Sequence, residues 1–155
     1  EAFLKLETGT HSAPINQMLV TPDGKTLITS GGDKTIRIWD VETKEQDRML
    51  LGQIGTGSAG SIQAITLSRD GQHVVTLAWL YPKEPQEAHE RETDVRVYEL
   101  ATGNLQAGFR YPGTLQDLDF SPDGKYLVMV GNPKGPIRRG CVLVYDSKKF
   151  LQGKS

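Results

Sequence analysis

Cysteine is almost absent from this 155-residue chain: only Cys141 is present. A single thiol cannot form an internal disulfide framework, and its setting in the apolar run CVLVY suits a small buried side chain better than a reactive one. Long apolar runs are missing too. No stretch of 18 such residues could span a bilayer as a helix, and no charged-then-apolar leader resembles a signal peptide. An excess of charge of either sign is lacking, with a formal net charge of -1. That removes the broad electrostatic footprint expected of a chain built for nucleic acid or anionic membrane, so neither is expected as a partner. With no cysteine pairs, the cytoplasm is the expected compartment.

What is present is enough for a core and rich in turn residues. Apolar residues make up 37% of the chain, which also carries 17 glycines and 8 prolines. The segments VTPDGKTLIT at 20–29, LSRDGQHVVT at 67–76 and FSPDGKYLVM at 120–129 are three copies of one pattern. In each, an apolar segment leads to an Asp-Gly pair, which tolerates the positive φ of a hairpin turn. A third segment of alternating β-branched and aromatic residues follows each hairpin: TIRIWD at 35–40, DVRVYE at 94–99 and CVLVYD at 141–146. After the first two comes a polar turn and a weaker strand, DRMLLGQ at 47–53 and LQAGFR at 105–110. Four short antiparallel strands per unit, the outermost most polar, describe the blade of a β-propeller.

On these residues the chain resembles the WD-repeat propellers over nearly its whole length. The likeness is strongest in the first unit, where THSAPI, LITSGGD and IRIWD match the family's Gly-His, Ser/Thr, Asp and Trp-Asp landmarks. It implies an all-β fold in which His11, Thr29, Asp33 and Trp39 form a structural hydrogen-bonded tetrad inside the blade. Buried polar groups of this kind are tolerable only when paired. The later units end in Tyr98-Glu99 and Tyr145-Asp146, lack the Gly-His pair, and keep only Thr76 in the second; aromatic packing is expected in place of the network there.

The expected organisation is three blades' worth of strands: residues 2–8 as an outer strand of a neighbouring blade, then blades at 11–53, 58–110 and 113–155, the last without its outer strand. Three blades cannot close a ring, for propellers use about four to eight. Closure needs either further blades from a longer parent chain, which the start at Glu1 rather than Met also suggests, or a second copy making a six-bladed homodimer.

Superposing the units places two insertions at one joint, between the second and third strands, at 78–93 and 131–140. Such loops carry binding residues on a rigid scaffold. Trp79, Leu80 and Tyr81 supply apolar anchors, and Arg138 and Arg139 supply directional contacts to carboxylates, so a protein or peptide partner is expected on this face. Other chemistry is thin. His89 with Glu87 or Glu90 lacks a second nitrogen or sulfur ligand for a metal, IGTGSAGSIQ at 54–63 lacks the lysine and helix of a phosphate loop, and His73 reads as a strand-face residue. No catalytic residues, metal or cofactor are expected. The leading function is a non-catalytic interaction scaffold; the alternative is the regulatory or substrate-recruiting propeller domain of a larger enzyme.

Overall fold

The computed structural model describes residues 9–52, 57–80, 91–134 and 140–153. The expected strand at 2–8, together with Tyr81, His89, Arg138 and Arg139, lies outside the described residues. Among the described residues, eleven strands form three antiparallel sheets. Sheet 1 holds β1 (Ile15–Val20), β2 (Thr26–Gly31), β3 (Thr35–Asp40) and β4 (Gln46–Leu51) in sequence order. Sheet 2 repeats this with β5 (Ile62–Leu67), β6 (His73–Leu80), β7 (Glu92–Glu99) and β8 (Leu105–Tyr111). Sheet 3 has three strands among the described residues, β9 (Gly113–Phe120), β10 (Tyr126–Pro133) and β11 (Cys141–Asp146).

The repeated turn is local chemistry. Thr21, Ser68 and Ser121 each donate a hydroxyl hydrogen bond to the aspartate two residues on, at 2.6, 2.5 and 2.6 Å. Asp23, Asp70 and Asp123 in turn accept the backbone N–H of Lys25, Gln72 and Lys125. Gly24, Gly71 and Gly124 stand at φ of 72, 72 and 70°, where a side chain would strain the backbone. A β-bulge also recurs in the first strand of every sheet, between Ile15 and Gln17, Ile62 and Ala64, and Leu115 and Asp117.

The sheets stack in series, with β5 between β1 and β9. Ile28, Ile36 and Ile38 of sheet 1 bury against Ile62, Ile65 and Val74 of sheet 2. Val75, Leu77, Val95 and Val97 of sheet 2 bury against Leu115, Leu118, Phe120 and Met129 of sheet 3. Polar stitches fix the relative height of the sheets: the Asn16 side chain donates to the Ile62 carbonyl at 2.7 Å, and the Gln17 side-chain Oε1 accepts from the Ile65 N–H at 2.6 Å.

After β11 the chain turns into a short helix, α1 (Ser147–Leu151). Asp146 caps it by accepting from the Lys149 N–H at 3.0 Å, and Phe150 packs edge-on to Phe109 with ring centroids 5.6 Å apart. Tyr145 lies 5.3 Å from the Phe150 ring. Phe109 of β8, Tyr145 of β11 and Phe150 of α1 thus form an aromatic cluster between sheets 2 and 3.

Candidate interaction face and the blade tetrad

In sheet 1 the network is built from four elements. His11 precedes β1, Thr29 sits in β2, Asp33 in the corner after it and Trp39 in β3. The imidazole Nδ1 lies 3.0 Å from Asp33 Oδ1, and both side chains are almost fully enclosed. A carboxylate only accepts, so Nδ1 carries the hydrogen. His11 Nε2 lies 2.8 Å from Thr29 Oγ1, which also accepts the Trp39 indole N–H at 2.8 Å. Asp33 accepts further bonds from the Thr35 hydroxyl at 2.7 Å and the Ser12 N–H at 3.1 Å. Burial by itself raises the Asp33 carboxyl, but the bonds from Thr35, His11 and Ser12 outweigh it and hold the group below its usual carboxylate value.

The turn aspartates move the same way. A hydroxyl bond from Thr21 lowers Asp23, that from Ser121 takes Asp123 to about 2, and at Asp70 the Ser68 and Gln72 bonds overcome desolvation. A carboxylate with a depressed folded-state pKa contributes stability above its unfolded value and loses it as pH falls through the folded one. Stability is therefore expected to decline from about pH 4 towards pH 2. Urea midpoints measured across that range check this; a flat profile would show that these bonds do not persist in solution.

The second and third units hold no such tetrad among the described residues. Thr76 is buried, while Tyr98 makes a long 3.4 Å contact to the Leu51 carbonyl, linking sheets 2 and 1.

The insertions are shorter than their sequence spans suggest. Trp79 and Leu80 belong to β6 and pair with Thr93 and Glu92, and residues 131–133 belong to β10. Strand pairing continues past the point where sheet 1 turns at its tight corner, a register that alternation alone does not reveal. Trp79 is half-buried, and its indole N–H donates to the Leu115 carbonyl of sheet 3 at 2.9 Å. The Arg91 guanidinium lies 5.9 Å from the Trp79 ring centre. Beside it, Thr93 donates to the Gly113 carbonyl and accepts from the Leu115 N–H, at 3.0 and 2.8 Å. Asn132 and Pro133 pair with Thr114 and Gly113 from the other side. Both insertions thus leave the scaffold on either side of the segment 111–115, from adjacent sheets and at the same end. Tyr111 lies there too, its hydroxyl 3.2 Å from Cys141 Sγ and its phenol pushed up to about 12 by burial and that contact. Sequence reasoning missed Thr93, which faces Trp79 across the β6–β7 pairing, and Leu115, which is joined to Trp79 only by the stacking of sheets.

At the opposite end a cavity of about 150 Å³ lies among Leu19, Val20, Leu67, Arg69 and Asp119. Its polar groups are already engaged: Thr66 donates to Asp119, and Arg69 to the carbonyls of Phe120 and Ser121. No group of three or more potential metal ligands occurs among the described residues. No helix among them is long and apolar enough to cross a membrane.

Serially stacked antiparallel sheets joined by repeated hairpins define a partial β-propeller, a scaffold built from repeats. Residues 4–40 match the family model for the WD domain, G-beta repeat, and the chain belongs to the WD-repeat family. It is 30% identical over 122 residues to Mitochondrial division protein 1 of Mycosarcoma maydis, covering 78% of this chain and 13% of that protein. It is 30% identical over 81 residues to Cilia- and flagella-associated protein 52 of Sus scrofa, covering 48% of this chain and 12% of that protein. Nuclear distribution protein PAC1 of Arthroderma benhamiae is 23% identical over 131 residues, 80% of this chain and 28% of that protein. The chain therefore spans a small part of the relatives it matches.

Proposed function

We propose that this chain is a non-catalytic module that holds a protein or peptide partner on the face bearing the two insertions, with units 11–53, 58–110 and 113–155 acting as blades. The observation that carries the reading is the convergence of both insertions on 111–115, where Trp79, Thr93 and Leu115 tie sheets 2 and 3 together. A scaffold fixed at that point holds the roots of both insertions, and the residues assigned to the partner in this reading are Trp79, Leu80, Tyr81, Arg138 and Arg139. His11, Thr29, Asp33 and Trp39 have a structural role in this reading. Ring completion comes from a second copy or from a longer parent chain.

The test is capture on an array of peptides that combine an acidic residue with an aromatic or aliphatic one. Tyr81→Ala and the double change Arg138→Ala/Arg139→Ala are expected to weaken capture at least tenfold with the melting temperature unchanged. Trp79→Ala behaves differently, because its indole is also an inter-sheet tie: it costs about 1–3 kcal/mol of stability as well as capture. Capture no better than on scrambled peptides, or indifferent to these changes, rejects the reading.

A further inference from the structure

The internal repeat supplies a template for one small site. Aligned on their hairpins, Pro22, Arg69 and Pro122 hold the same turn position, and only the arginine carries hydrogen-bond donors there. Arg69 uses them to cross from sheet 2 to sheet 3. Its Nε donates to the Ser121 carbonyl at 3.1 Å and its Nη2 to the Phe120 carbonyl at 2.6 Å, with Asp119 Oδ2 3.9 Å away.

Between sheets 1 and 2 the same frame lacks its arginine. Thr66, Leu67 and Ser68 stand where Asp119, Phe120 and Ser121 stand one sheet on, and Pro22 lies over Gly71 as Arg69 lies over Gly124. The Ser68 N–H bonds the His73 carbonyl as the Ser121 N–H bonds that of Tyr126. Ladder alternation therefore turns the Leu67 carbonyl, like that of Phe120, to the open edge of its strand. The Ser68 carbonyl accepts one bond, from the Gly71 N–H, and has a second lone pair. Proline offers neither carbonyl a donor, and the cavity of about 150 Å³ lies in the space between Pro22 and these residues. A cavity on the order of 150 Å³ admits a group of benzene's size, which is larger than a guanidinium. Leu19 and Leu67, both packed on the core of this interface, form an apolar wall suited to a methylene stem. The charge on offer is negative: the Arg69 guanidinium is spent on sheet 3, whereas Asp119 accepts from the Thr66 hydroxyl and the Phe120 N–H through Oδ1 and keeps Oδ2 for a further donor.

We propose that this cavity is a second binding site, which takes the arginine side chain of a peptide partner. The guanidinium bridges the Leu67 and Ser68 carbonyls and faces Asp119, repeating in trans what Arg69 does in cis at the next interface. A planar fork of donors meets two neighbouring carbonyls and a carboxylate together, which the compact ammonium of lysine does not. The site is at the hairpin end of the sheets, opposite the insertions, and does not depend on the loop-face reading.

The test titrates the peptide acetyl-Gly-Arg-Gly-amide into the intact chain while backbone amide resonances are followed by NMR. Saturable shifts are expected at Leu19, Leu67 and Ser68. The lysine counterpart should bind about tenfold more weakly, and the uncharged citrulline counterpart more weakly still. Free L-arginine brings its own carboxylate towards Asp119 and should also bind less well than the capped peptide. Pro22→Arg is the decisive variant, because it supplies the missing side chain from the position Arg69 holds one unit on. It is expected to abolish peptide binding and to melt above Pro22→Ala, which keeps both the fold and the binding. Asp119→Asn should weaken binding with the melting temperature little changed. No saturable shift, shifts confined to other residues, equal binding of the lysine, citrulline or free amino-acid probe, or peptide binding undiminished in Pro22→Arg overturns the proposal. Tyr81→Ala leaves this titration unchanged, so failure here and failure of the loop-face reading are told apart.

Discussion

Replacing Asp33 by Ala is expected to lower unfolding stability by about 3 kcal/mol, read as a fall in the urea midpoint at neutral pH. The change deletes the acceptor for His11 Nδ1, the Thr35 hydroxyl and the Thr35 and Ser12 N–H groups together. With His11 almost fully enclosed, water cannot replace the missing partner. The ring is then free to turn, and the Thr29 hydroxyl that also receives the Trp39 indole loses its fixed partner. Asp33→Asn is the informative companion. It keeps the shape and one acceptor oxygen but loses the charge and one acceptor, so a smaller loss is expected. A structural role further requires that peptide capture fall only in proportion to the unfolded fraction. Capture abolished in a fully folded Asp33 variant would move this residue from the blade's interior to its function.

Phe120→Ala is expected to cost more, about 3–5 kcal/mol, because a large side chain buried between sheets 2 and 3 leaves a cavity that paired strands cannot collapse to fill. Its equivalent in the first unit gives the contrast. Val20 is exposed, and Val20→Ala should change the stability of a single copy by less than about 0.5 kcal/mol. Two positions in one repeat pattern then differ several-fold in effect only because one has a neighbouring sheet and the other has not. Equal losses would mean that Val20 is covered in solution.

Much of the architecture was legible because its causes are local. The Asp-Gly turns close through bonds spanning two to five residues, so PDG and RDG announce them wherever they occur. Period-two alternation in TIRIWD and DVRVYE marks strands for the same reason. The tetrad was legible from its likeness to a family pattern, and its members come together at hydrogen-bonding distance across 10 to 22 positions of sequence. The extent of β6 and β7 was not legible. Whether Trp79 and Leu80 pair or loop depends on what lies opposite them, and the sequence between 78 and 93 is compatible with either. The short helix after Asp146 carried a readable sign, since aspartate followed by SKK is a capping pattern.

The amino-acid sequence by itself determined the unit of this protein: three hairpins with a third strand, their turns and their order. Those features follow from backbone preference and side-chain alternation within some forty residues. Only the tertiary structure decided which copies of a repeated residue are buried, that Trp79 is tied to Leu115, and that both insertions rise beside one segment. The physical reason is that burial belongs to a pair of sheets rather than to a residue. Ile36, Val95 and Val142 obey the same local rule, and only the presence of a following sheet separates the first two from the third.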